Sequence, residues 1–150
     1  MLFRSVEAEK ALRLAPDFVI GPQTRGWIYR EQGKYAAALA QFEITYKSLP
    51  DHARLLGDLG HIYAVVGRTN DARLILAKLE QMAADGKDVT TAVAMVHLGL
   101  GDWDQTFAWI ERATVNRSVD PRTLRFDAPY KTLIQDPRYP ALLKKFSLNK

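Results

Sequence analysis

Three glycines, Gly33, Gly67 and Gly101, stand 34 residues apart, and their neighbours keep the same register. Seven residues before them stand Gly26, Gly60 and Ala94; four before stand Tyr29, Tyr63 and His97; five after stand Ala38, Ala72 and Thr106. Phe42, Leu76 and Ile110 come nine after. Pro50, Ala84 and Ser118 come seventeen after, with Pro16 at the equivalent place one period earlier. Agreement at so many coupled offsets marks a repeated structural unit, and such a unit buries its apolar face only by stacking on its neighbours. With 150 residues, 47% of them hydrophobic, the chain can build a sizeable core without a disulfide or metal staple. It has no cysteine, which removes thiolate metal sites, thiol nucleophiles and redox switching.

Within each period the apolar spacing is helical. Ala53 to Val66 and Asn70 to Met82 place apolar residues at i, i+3, i+4 and i+7, so each period is expected to hold two helices. The glycine between them suits the left-handed conformation that ends a helix. Asp71, Asp102 and Asp104 lie where acids favour the start of the next helix. Gly26, Gly60, Ala38 and Ala72 are small enough to let the paired helices approach closely, and Pro50 stops a second helix. The expected fold is an all-α superhelix of about three and a half helical hairpins with a C-terminal helical cap. Its expected divisions are a half repeat at 1–18, repeats at 19–52, 53–86 and 87–118, and the cap at 119–150, together effectively a single domain.

The Leu59-Gly60, Tyr63, Gly67, Ala72 series resembles the tetratricopeptide repeat. Gly26, Tyr29, Gly33, Tyr35, Ala38, Phe42 and Pro50 form a second good copy, with Arg25 in place of leucine. The third copy is degenerate, with Ala94, His97 and Thr106 at the small and aromatic positions. Its helices are expected to pack less closely or at another angle. Before the first copy, Val6 to Pro16 reads as the second helix of a repeat whose first helix is missing. Leu2, Phe3 and Val6 would leave it an apolar surface suited to self-association.

Beyond residue 118 the period ends and the charge changes. Residues 121–150 hold seven Lys or Arg against two acids, Asp127 and Asp136, whereas the other 120 residues are close to neutral. Ala128 to Gln135 and Pro137 to Phe146 read as two short helices, the second opened by Asp136-Pro137. Tyr130, Leu133, Ile134, Tyr139, Leu142, Leu143 and Phe146 give them an apolar stripe, leaving the basic groups on a solvated face. Tyr130 to Tyr139 followed by Leu142-Leu143-Lys-Lys-Phe146 resembles the ending of bacterial tetratricopeptide proteins. In that group the repeats often follow a winged-helix, adenylate cyclase or serine/threonine kinase domain, which implies a regulatory C-terminal region. None of these domains lies within the 150 residues, so a regulatory C-terminal fragment of a longer signalling protein is the alternative expectation; Pro140 removes a backbone donor early in the last helix.

No catalytic or metal motif is readable. His52, His61 and His97 are never three or four apart, and neither a phosphate-cradling glycine loop nor a Gly-x-Ser-x-Gly motif occurs. No catalytic residue, metal ligand or cofactor is assigned, and no enzyme is expected. Family resemblance instead implies a concave groove lined by the first helix of each hairpin, and so a protein or peptide partner. Its candidate surface is Gln23, Trp27, Arg30 and Glu31, then Arg54, His61 and Val65, then Asp88, Thr91, Met95 and Leu98. Members that clamp acidic chaperone tails use basic and amide groups where this chain has Gln23, Trp27, Asp58, Asp88 and Ala92, which disfavours that partner. Nucleic acid is not expected, since the C-terminal aromatics are needed in a core. The longest uncharged run, Val89 to Gly101, is too short to cross a bilayer. With no readable export signal, a soluble cytoplasmic protein is the default expectation.

Overall fold

The computed structural model describes residues 10, 21–119 and 121–148. The expected half-repeat helix at Val6 to Pro16, with its proposed self-association, lies outside them apart from Lys10. Among the described residues there are only helices and their connections. Three hairpins come first: α1 (Pro22–Glu31) with α2 (Tyr35–Ser48), α3 (Ala53–Val65) with α4 (Thr69–Ala84), and α5 (Thr90–Leu100) with α6 (Trp103–Val115). Then follow α7 (Pro121–Phe126), a 3-10 segment (Ala128–Gln135) and α8 (Arg138–Leu148). This is the expected all-α solenoid, with α7 as an element the sequence pattern did not announce.

One stop signal ends five of the helices. Gly33, Gly67 and Gly101 have φ of 73°, 84° and 75°. In each case the glycine N–H and the next N–H turn back to the helix; at Gly67 they bond Ala64 O at 3.0 Å and Tyr63 O at 2.7 Å. That pattern satisfies carbonyls which the helix end would otherwise orphan. Gly86 ends α4 the same way, and α6 ends on Arg117, a non-glycine at φ 55°. The starts are less uniform. Asp102 caps α6 by accepting the Gln105 N–H at 3.1 Å, and His52 Nδ1 accepts the Leu55 N–H at 3.3 Å. Asp71 and Asp104 instead pair with Arg68 and Arg138, both at 2.7 Å.

Close packing concentrates on the small residues. A Cβ on Gly26 would lie 2.5 Å from Phe42 in the same hairpin. The closest joint, however, is between hairpins, where α3 crosses α5 in the most extensive helix pair of the structure. A Cβ on Gly57 would lie 2.7 Å from Ala92 Cα, one on Gly60 2.5 Å from Val96, and one on Gly99 2.7 Å from the His61 carbonyl. The degenerate third copy is not loosened: Ala94 and Thr106 are fully buried, and α5 packs extensively on α6.

Two apolar clusters share α5. One runs through Phe42, Leu55, Leu59, Leu79 and Val96; the other joins Leu98, Phe107 and Ile110 to Leu124, Tyr130, Leu133, Tyr139 and Leu142. The C-terminal segment thus completes the third hairpin, although Ile134 of the expected stripe is exposed and the Phe146 side chain lies outside the described residues. Its basic face is not simply solvated. Arg138 bonds Asp136 and Asp104, and Lys145 bonds Glu111 on α6 at 2.7 Å. Pro140 is the third residue of α8, in the first turn, where backbone donors have no intrahelical partner in any case.

Since the Gly57 contact is with backbone and that at Ala72 with a closed core, Gly57→Ala and Ala72→Leu should each lower unfolding free energy by about 1–3 kcal/mol. Urea titration checks this. Unchanged midpoints would show that the α3–α5 crossing and the second hairpin have slack.

Candidate functional site on the inner helices

Trp27 and Arg30 lie three apart on α1 and therefore share a face. Both reach across to Asp58 on α3. Trp27 Nε1 donates to Asp58 Oδ2 at 2.7 Å, and Arg30 Nη1 donates to Oδ1 at 2.6 Å. Arg30 is 5% exposed and Asp58 2%, so this is an ion pair removed from water, which holds only while both partners remain. One turn before Asp58, Arg54 stacks on the Trp27 ring with Cζ 4.9 Å from its centroid.

The C-terminal segment closes over this constellation. The Ala128 N–H donates to Glu31 Oε1 at 3.1 Å, joining the end of α1 to a residue 97 positions later. Beside it, Tyr130 is wholly buried and its hydroxyl has no hydrogen-bond partner; burial, helped by the Asp58 charge, pushes the phenol above its ordinary range. Burial likewise raises the Asp127 carboxyl, with Arg30 and Arg54 pulling the other way.

Between these elements lies a half-open cavity of about 500 Å³. His52, Arg54, Gly57 and Asp58 of the α3 region form one side, and Asp88, Thr91, Ala92 and Met95 of the α5 region form another. Ser118, Val119, Thr123, Asp127 and Tyr130 close it. Asp88 is held ionised: its carboxylate accepts from the Ser118 hydroxyl and from the Thr90 hydroxyl and N–H, and these bonds lower its pKa.

The candidate groove residues separate accordingly. Arg54 and Met95 line the cavity, with Asp88 and Thr91. Trp27 and Arg30 stand behind it as the partners of Asp58, so Arg30 is a buried structural group rather than a presented one. Glu31 is used by the C-terminal segment. Gln23 is half-buried with its Nε2 unpartnered, Leu98 is buried, and Val65 is 39% exposed but outside the cavity. His61 is buried, its Nδ1 has no partner, and burial with the nearby Arg30 charge lowers its pKa to about 3. Val119, Thr123, Asp127 and Tyr130 are the cavity residues that the repeat pattern assigned only to a cap. The available signal was slight: Asp127 is the one acid of the basic segment not needed to open a helix.

Among the described residues no group of three or more His, Asp or Glu is placed to hold a metal ion, and no helix is long and apolar enough to cross a membrane. A family model described as tetratricopeptide repeat matches residues 29–96. No curated protein and no solved structure matches the chain.

Arg30→Ala strands Asp58 in the interior and should cost about 3–5 kcal/mol, whereas replacing both partners by apolar residues, as in Arg30→Met with Asp58→Leu, should cost much less. Chemical denaturation of the two variants distinguishes them, and equal losses would refute the ion pair's compensating role. His61 makes a second prediction. The unfolded chain protonates this residue below pH 6.5, while the fold refuses the proton down to about pH 3. Stability should therefore fall as pH drops through that window, by up to about 1.4 kcal/mol per unit. Half-buried His97, also lowered by burial, adds in the same direction. Asp127, raised, acts oppositely but only in the carboxylate range. His61→Leu should flatten the decline between pH 6.5 and the carboxylate range, as read from unfolding midpoints. A slope as steep as the parent's would place the titration elsewhere.

Proposed function

We propose, from the match of residues 29–96 to the tetratricopeptide repeat, that the chain is a non-enzymatic interaction module holding a peptide or protein segment against the inner surface of α1, α3 and α5. Repeats of this family generally mediate protein–protein interaction and are typically without catalytic activity. The observation that carries the reading here is the cavity of about 500 Å³ on that surface, which combines an apolar wall at Ala92 and Met95 with the Arg54–Trp27 stack at its side. Aromatic and arginine groups beside a pocket are the usual anchors of binding energy. The mechanism is recognition without bond-making.

Part of the inner surface is already taken by the chain itself, through Ala128 on Glu31 and the buried Tyr130. The partner segment therefore uses the stretch between Arg54 and Met95. Its chemistry is not that of an acidic tail. Asp88 faces the cavity as a stable anion, and Asp58 stands where the carboxylate-clamping members present an amide, so a carboxylate-rich ligand would meet like charge.

Selection from a random peptide library on the immobilised chain tests this reading. A shared sequence should emerge, and the corresponding synthetic peptide should bind about tenfold or more weakly to Arg54→Glu and to Thr91→Arg, which fills the cavity. Absence of any shared sequence, or full binding by both variants with helical circular dichroism retained, would overturn it.

A further inference from the structure

The polar groups around the cavity differ in how far the protein satisfies them. Both Asp58 oxygens are taken, by Trp27 and Arg30, and Asp88 accepts from Thr90 and Ser118. Two charged groups are left. Arg54 stacks on Trp27 and forms no ion pair among the described residues. Asp127 likewise forms none there, and both line the cavity. One cation and one anion thus border a common space.

Arg54 and Asp127 are near enough for the guanidinium field to act on the carboxyl, yet they do not meet. A half-buried carboxylate with no direct ion pair is costly, and burial raises the Asp127 carboxyl accordingly. A ligand that bridges the two groups would relieve that cost. A simple anion would satisfy Arg54 but meet Asp127 and Asp88; a simple cation would satisfy Asp127 but meet Arg54. A molecule carrying both charges matches the set. The remaining wall, Gly57, Ala92, Met95 and Val119, is apolar and suits a hydrocarbon side chain. The volume, about 500 Å³, lies in the range of small-ligand sites.

We propose that this cavity binds a small zwitterion of the α-amino-acid type, with its carboxylate on Arg54 and its ammonium on Asp127. The site shares Arg54 and the Ala92–Met95 wall with the peptide-binding reading but does not rest on it. Since Asp127 belongs to the C-terminal segment and Arg54 to α3, the ligand ties that segment to the repeats.

Isothermal titration of the full chain with each free L-amino acid, and with the dipeptide glycyl-leucine, tests the proposal. At least one of these probes should bind. Affinity should fall about tenfold or more in each of Arg54→Gln and Asp127→Asn, and likewise for the N-acetyl and amide derivatives of the binder, which each lack one charge. Neither substitution removes an internal hydrogen bond, and Arg54→Gln loses only the stack on Trp27, so both variants should keep the parent's helical circular dichroism. Binding of the dipeptide alone would make the source a short peptide rather than a free amino acid. Backbone amides of residues 127–135 should gain protection from hydrogen exchange when the probe is bound. Failure of every probe to bind, undiminished binding by both variants or by the blocked derivatives, or unchanged exchange in that segment would each overturn the proposal. Peptide selection on the same protein would stand or fall separately.

Discussion

A carboxylate with almost no access to water governs the inner surface of this protein. Asp58 is tolerable in the interior because Trp27 and Arg30 supply two hydrogen bonds and one full positive charge. Meeting that requirement fixes the rest of the neighbourhood. It holds α1 to α3 at the one rotation that brings residues 27 and 30 to the same oxygen pair, and it sets the Trp27 ring where Arg54 can cover it. The pair also fills the space beside Tyr130 and His61 with charge. That field, added to burial, keeps the phenol protonated and the imidazole neutral.

The two joints between first helices are built on opposite principles. At α3 and α5 the backbones touch, because Gly57, Gly60 and Gly99 remove the side chains that would separate them. Such contact gains dense packing and allows little movement. At α1 and α3 long side chains span the interval and a buried ion pair fastens it. The first joint depends on shape, and the second on charge compensation. The cavity opens beside the rigid joint, so its α3 and α5 walls are fixed relative to each other. Its remaining wall comes from the C-terminal segment, docked on α1 through the Ala128–Glu31 bond.

Legibility in the sequence followed recurrence. Gly33, Gly67 and Gly101 announced themselves because the same chain reversal happens three times, and each indeed adopts positive φ. Helix limits near Ala53–Val65 and the opening of α8 by Asp136 were readable from local rules, since a cap or a stop depends on residues within one turn. Gly57 and Gly99 were not readable, because their register equivalents are Gln23 and Thr91, and Glu31 and Val65, and nothing about an unrepeated glycine says which backbone will approach it. Arg30 was misleading for a related reason. On a helix taken alone it occupies a groove-facing position; only the offset of α1 against α3 reveals an acid opposite it. The Arg117 turn shows the limit of the glycine rule, since the same reversal is made there with a side chain in place.

The contact least visible in the sequence has the largest consequence for the candidate site. A bond between residues 31 and 128 has no local signature, and the composition of the C-terminal segment announces only a basic cap. Two of its charges are drawn onto α6, Arg138 to Asp104 and Lys145 to Glu111, while its apolar residues enter the core of the third hairpin. Exposed pairs of this kind contribute little free energy individually. Their role is to orient a segment that burial of Tyr130, Leu133 and Leu142 holds in place. The segment thereby turns an open inner surface into a walled cavity, and it brings to that cavity the Asp127 carboxyl, which the repeats do not supply. Recognition on this surface thus depends on two parts of the chain with different rules, one repeated and one unique.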